Sequence, residues 1–118
     1  KWGRIINMTS IMAHIGSGGR SAYCASKAGL LGLTKCLALE LVGDGITVVA
    51  ISPGFYETDL TAPLRADPQK NAALMAATPA ARWGRPDEIG ALARYICTDA
   101  TSFMTGTDIL MDGGWVAQ

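Results

Sequence analysis

The stretch "SAYCASKAGLLGLTKCLALELVGDGITVVAISPG", Ser21 to Gly54, decides the fold. Small and apolar residues recur at helical spacing from Ala22 to about Val42, with Ala25, Ala28, Leu31, Cys36 and Leu39 on that repeat, and Ser21 is a residue type that caps helices. The glycines of "GDG", Gly43 to Gly45, end the run. "ITVVAI", Ile46 to Ile51, then reads as a strand buried on both faces, because it is β-branched and carries no charge, and Pro53-Gly54 stops it. Outward in the other direction, Arg4 to Met8 is a short strand followed by a glycine-containing loop to Arg20. Strand, helix, strand with a right-handed crossover makes the two strands parallel neighbours in one sheet.

Downstream, Asp59 to Ala81 is a polar-to-alanine segment punctuated by Pro63, Pro68 and Pro79, and it reads as a lid or binding loop of one or two short helices. Pro86 suits the first position of a helix whose first turn holds Asp87 and Glu88, favourable at the positive end of the dipole, and which runs to about Cys97. Thr107 to Met111 supplies a last strand before "DGG". The expectation is an α/β unit of three strands and two main helices, without repeats or linkers. Such a sheet wants cover on both faces and a partner for the strand at Ile5. With Lys1 as its first residue, the sequence is expected to be the later part of a longer domain.

Composition narrows the function classes. The 118 residues are 49% hydrophobic, enough for a core, and ten basic residues balance ten acidic ones, which argues against nucleic acid or an anionic membrane surface as partner. Small molecules are the expected ligands. Cys24, Cys36 and Cys97 are odd in number and widely spaced, so neither a disulfide framework nor a metal site is expected, and a cytoplasmic location fits. No run is long enough to span a bilayer.

The chemistry turns on Ser10, Tyr23 and Lys27. Tyr23 and Lys27 are four apart on a helix, so both project from one face. An ammonium beside a phenol favours the phenolate, which gives a proton donor and acceptor usable near neutral pH. Ser10, at the end of a strand, can hydrogen-bond a carbonyl oxygen and hold it beside the phenol.

Ser10, "YCASK" at Tyr23 to Lys27 and "SPGFYETDL" from Ser52, together with "GRIINMTS", "RWGRPDEIG" and "MTGTDILMDGG", resemble the short-chain dehydrogenase/reductase family along the whole chain. The resemblance implies the C-terminal part of a Rossmann-like, doubly wound parallel sheet, its strands 5 to 7 with their helices. The N-terminal cofactor-binding half, with its TGxxxGxG phosphate loop and an active-site asparagine, is absent from these residues. It implies an NAD- or NADP-dependent enzyme interconverting a carbonyl and a secondary alcohol. Ser10 is then the carbonyl-positioning serine, Tyr23 the acid/base, and Lys27 both the group that favours the phenolate and a ligand of the nicotinamide ribose. Pro53, Gly54, Phe55 and Thr58 match the family's nicotinamide contacts, with Tyr23 and Lys27 completing the cofactor set.

"GSGG", Gly16 to Gly19, is no substitute phosphate cradle: a GxGxxG repeat needs glycine where Ser21 stands, so a turn is expected. "TAPLRADPQ", "TPAARWG" and "DGGWVAQ" look most like family members acting on sugar acids, such as 2-deoxy-D-gluconate 3-dehydrogenase and gluconate 5-dehydrogenase. Arg65 or Arg82 could clamp a substrate carboxylate, and Met12, with Ser10 and Tyr23, lines the expected pocket. The 3-oxoacyl-carrier-protein reductases share most of these motifs and are the alternative. His14 is read as an exposed loop residue without a catalytic role. A further alternative is a non-catalytic assembly module that pairs through Ala22, Ala25, Gly29 and Gly32, and the complete enzyme is expected to be a homo-oligomer, dimer or tetramer.

Overall fold

The computed structural model describes all 118 residues. Three parallel strands form one sheet in the order β1 (Gly3–Met8), β2 (Ile46–Pro53), β3 (Asp108–Met111). Between β1 and β2 runs α1 (Ser21–Leu41); between β2 and β3 lie α2 (Ala62–Ala66), α3 (Pro68–Ala77) and α4 (Pro86–Ile96). Gly3 pairs with Ile46 and Met8 with Ile51, while Ala50 pairs with Asp108 and Pro53 with Met111. This is the α/β arrangement expected, with β2 in the centre.

β2 is buried along nearly its whole length because α1 and α4 cover opposite faces of the sheet. Strand alternation sends Val49 and Ile51 toward α4, where they meet the fully buried Ile96 and the flanking Ile6, Ile89, Leu92 and Ile109. Val48, Ala50 and Ser52 face α1. Each fully buried Val or Ile contributes roughly 1.5–3 kcal/mol of transfer free energy, so this strand is the stability centre.

β1 has β2 on one side and a free edge on the other. Only 15 of 118 residues are buried, and the radius of gyration is 15.6 Å, against about 13–14 Å for a compact chain of this length. The molecule is correspondingly long, 50 × 28 × 26 Å.

Several boundaries differ from expectation: β1 begins one residue early, at Gly3, and β2 runs on to Pro53. Ser21 is the first residue inside α1 rather than its cap; Arg20 takes that position with φ −126° and ψ 29°, neither helical nor extended, and no side-chain bond to the helix. The start is held instead by the backbone, Cys24 N–H donating to the carbonyl of Arg20 at 2.9 Å. The last strand begins at Asp108, although the carbonyl of Thr107 already accepts from Ala50 N–H. α4 starts as expected, with Pro86 at its first position and the Glu88 side chain accepting from Arg85 N–H. Residues 59–81 hold the two short helices, α3 capped by the Asp67 carboxylate accepting from Gln69 and Lys70 N–H. Within "GSGG" a turn runs from Ser17 to Arg20, closed by Arg20 N–H on the carbonyl of Ser17, with Gly19 at φ 77°.

Candidate active site

At the carboxyl ends of β1 and β2 a cavity of about 380 Å³ opens between the start of α1, the start of α4 and the turn before α2. Parallel strands that stop side by side leave such a crevice by construction. Ser10, Tyr23, Pro53, Gly54 and Thr58, all singled out from sequence, line it.

Ser10 follows β1 and caps a short 3-10 turn, Ile11–Ala13; its Oγ accepts from Met12 N–H at 3.1 Å. Met12 therefore serves this site through its backbone and is not itself among the lining residues. Tyr23, in the first turn of α1, is 42% exposed. Lys27, one turn on, carries its Nζ 5.7 Å from the centroid of the Tyr23 ring and donates to the carbonyl of Met8 at 2.9 Å. The ammonium is thus tethered to the end of β1 and stands beside the phenol.

Pro53 and Gly54 close β2. A Cβ on Gly54 would stand 2.7 Å from Cα of Asp112, so glycine here lets the turn after β3 approach β2. Phe55 points elsewhere: its ring meets Trp115 at 5.0 Å and Trp83 at 6.2 Å between centroids, both edge to face, and it lines a separate cavity of about 290 Å³. Thr58 is back in the first cavity, its N–H bonded to Thr61 Oγ1 at 3.0 Å.

Neither arginine lines the cavity. Arg65 donates to the carbonyl of Thr58 at 2.9 Å, and so braces a lining residue. Arg82 forms a fork on Glu88, at 3.0 and 2.7 Å, and a bond to the carbonyl of Trp83. That fork, with Arg85 N–H, holds the Glu88 carboxyl down at about 2.

Several lining residues escaped the sequence reading: Met8, Thr9, Tyr56, Leu60, Thr61, Pro86 and Ile89. Tyr56 stands between the two cavities and borders both, its hydroxyl donating to the carbonyl of Met111 at 2.9 Å. Burial pushes its phenol up, Glu88 and Asp112 add to that, and Arg82 opposes it. Its place inside "SPGFYET" was the available signal. His14 lies exposed in its loop, as read, but its side chain is engaged: Nε2 lies 2.6 Å from Asp108 Oδ2.

A family described as enoyl-(acyl carrier protein) reductase matches residues 1–116. The chain is 43% identical over 117 residues to a 3-oxoacyl-[acyl-carrier-protein] reductase of Synechocystis, covering 98% of this chain and 45% of that protein. It is 39% identical over 116 residues to a 2-dehydro-3-deoxy-D-gluconate 5-dehydrogenase of Bacillus subtilis, with 98% and 46% covered. A crystal structure of a provisionally assigned 2-deoxy-D-gluconate 3-dehydrogenase from Agrobacterium tumefaciens, with bound NADP, superposes with a TM-score of 0.95 at 38% identity over all of this chain and 48% of that one. The chain thus spans about half the length of the relatives it matches. By its motifs, its sheet and these matches, it belongs to the short-chain dehydrogenase/reductase family.

Proposed function

We propose that these residues are the carbonyl-handling half of an NAD- or NADP-dependent oxidoreductase that interconverts a ketone and a secondary alcohol. The observation that carries the reading is that Ser10, Tyr23, Pro53, Gly54 and Thr58, distant in sequence, line one cavity with Lys27 tethered at its edge. Ser10 hydrogen-bonds the carbonyl oxygen, Tyr23 gives that oxygen its proton or takes it back, and Lys27 holds its ammonium beside the phenol. Residues 59–81 act as the lid.

The lining suits the nicotinamide end of the cofactor. Met8, Pro53 and Ile89 offer apolar walls, and Thr58 and Ser10 offer hydroxyls beside them. Bound there, the cofactor would supply or accept the hydride. In this reading Pro53, Gly54 and Thr58 hold the carboxamide and Lys27 the ribose, whereas Phe55, turned to Trp83 and Trp115, acts only by supporting that turn. The phosphate-binding loop is expected from the part of the fold that relatives carry and these residues lack.

For substrate class the reading favours small keto sugar acids. Ser10, Tyr23 and Thr58 bring hydroxyl-bearing side chains to a cavity otherwise walled by Met8, Pro53, Leu60 and Ile89, and the preference rests on the likeness of "TAPLRADPQ" and "TPAARWG" to sugar-acid dehydrogenases. The same reading makes the protein cytoplasmic, where free thiols such as Cys24, Cys36 and Cys97 stay reduced. The experiment is turnover by the complete polypeptide with Tyr23→Phe. Loss of at least ~100-fold, the typical size of general acid catalysis, supports the role, and near wild-type turnover defeats it. Run side by side, a preference for 3-oxoacyl thioesters over keto sugar acids would favour the acyl reductase alternative.

A second reading, a module that pairs with another chain, draws on α1: Ala22, Ala25, Gly29 and Gly32 are exposed, and nothing lies within 4 Å of where a Cβ on Gly29 or Gly32 would be. Sedimentation of the chain tests it; a monomer at all concentrations removes it.

A further inference from the structure

The loop that carries Ser10 is tied down on both sides of that residue, and both ties lead to one pair, the buried Ser52 and the half-buried Asp108. On one side, the hydroxyl of Thr9 is bonded to that of Ser52 and lies 3.2 Å from the carbonyl of Ile51. On the other side, His14 reaches Asp108 across 94 residues of sequence. Ser52, fully buried, donates to the same Asp108 carboxylate, 2.8 and 2.9 Å from its two oxygens.

The directions of these bonds follow from the groups. A carboxylate only accepts, so His14 Nε2 carries a proton toward Asp108 and Ser52 gives its single hydroxyl proton to the same acid. Ser52 is then left to accept, and the single hydroxyl proton of Thr9 is shared between Ser52 Oγ and the carbonyl of Ile51. The polar chain runs from Thr9 to Ser52 to Asp108, with His14 arriving from the far end of the loop.

A Ser, a His and an Asp in contact raise the question of a nucleophilic triad, and the geometry answers it. A triad imidazole holds its acid with one ring nitrogen and its serine with the other. Here Nε2 alone faces both Asp108, at 2.6 Å, and Ser52, at 3.3 Å, and Ser52 has no exposed surface. The cluster is built to hold, and what it holds is the turn Ile11–Ala13 and the serine that caps it.

We propose that His14 and Asp108 form a clasp that fixes the loop from Thr9 to His14 on β2 and β3, making His14 a positioning residue for Ser10. The proposal rests on the dehydrogenase reading in one respect, that Ser10 handles the carbonyl; the clasp itself stands on the contacts. Without it, Thr9 still anchors one end and buried Ile11 still packs the start of the turn, but no side-chain bond holds its far end, which keeps only the backbone bonds of Ala13 N–H to Ser10 and of His14 and Ile15 N–H to Ile11. The Ser10 hydroxyl then loses its fixed direction into the cavity.

Hydrogen exchange on the chain tests the clasp with His14→Ala, the isosteric Asp108→Asn, and both together, circular dichroism confirming that each is folded. Each single change is expected to speed exchange of the Met12, Ala13 and His14 amides about ten-fold or more and to leave the amides of α4 at wild-type rates. The double variant is expected to go no further than either single one. Unchanged loop exchange in His14→Ala, or effects that add, overturns the clasp. In the complete polypeptide, His14→Ala is expected to lower kcat with the KM for cofactor unchanged, and to cost nothing more on a Ser10→Ala background. A freed loop with wild-type kcat overturns the positioning role. If Ser10→Ala itself leaves turnover intact, the dehydrogenase reading fails, and the exchange result still decides the clasp.

Discussion

A Cβ on Gly84 would stand 2.5 Å from Cε1 of Tyr56, so the phenol ring lies flat on the glycine's backbone. The approach is locked from both sides, Gly84 N–H donating to the carbonyl of Phe55 and Glu57 N–H to that of Gly84, each at 2.9 Å. Gly84→Ala must displace the ring and its bond to Met111. The expected cost is about 1–3 kcal/mol, typical of overpacking. Gly90→Ala, inside α4 with nothing near its missing Cβ, is expected to stabilise by about 0.5–1 kcal/mol instead. Urea unfolding of the two variants checks the contrast, and equal midpoints would contradict it.

Tyr23 and Lys27 should separate stability from chemistry. Lys27→Met keeps the aliphatic stem but deletes the bond to Met8, so a loss near the low end of about 0.5–1.5 kcal/mol is expected. Tyr23, exposed, should tolerate Phe within about 0.5 kcal/mol. Under the proposed function both variants lose turnover while only one melts earlier. Melting curves alongside turnover decide it, and a Tyr23→Phe protein that melts as early as Lys27→Met would count against this account.

Glu88 makes the start of α4 sensitive to acid. Its carboxyl is held at about 2 rather than 4.5, first by the Arg82 fork and then by Arg85 N–H. A depressed folded-state value stabilises the fold fully above 4.5, and that contribution disappears as pH falls toward about 2. Arg82→Gln should therefore be less stable than wild type at neutral pH, with the gap closing through that window. Chemical unfolding at a series of acid pH values reads this out; a gap independent of pH would contradict it.

Ala81 has φ of 51°, the left-handed region, between Thr78 and the Arg82 fork. That region costs a residue with a Cβ about 1–2 kcal/mol, and glycine's extra unfolded-state freedom offsets about 0.5–1 kcal/mol of any relief. Ala81→Gly is expected to be neutral or mildly stabilising. Ala25→Gly, on the exposed face of α1, should lose about 1 kcal/mol. If both lose stability equally, the backbone at 81 is not strained.

The elements were legible where the signal was local. The charge-free run at Ile46 to Ile51, the helical repeat after Ser21 and the Pro86 start each act through neighbouring residues, and each became the expected element. What failed to show was set by distant partners. His14 gives no local sign that Asp108 stands beside it, because β3 is brought there by two crossovers. Phe55, next to two cavity residues, turns away because Trp83 and Trp115 wait on the other side. Arg65 resembles a free cation in sequence, yet it braces the carbonyl of Thr58. The cap at Arg20 rather than Ser21 is a shift of one position, decided by backbone bonds that composition does not encode.

The central place of β2 has a consequence for the order of events during folding. Its partners are far along the chain, Gly3 for Ile46 on one side and Asp108 for Ala50 on the other, and each pairing must first close a long loop. The helices can form early from local contacts, but "ITVVAI" stays without its neighbours until both closures are complete. Uncharged, β-branched and free of proline, it is meanwhile the kind of segment that pairs with copies of itself. The residues that anchor the finished molecule are thus its greatest aggregation hazard while it is still being made.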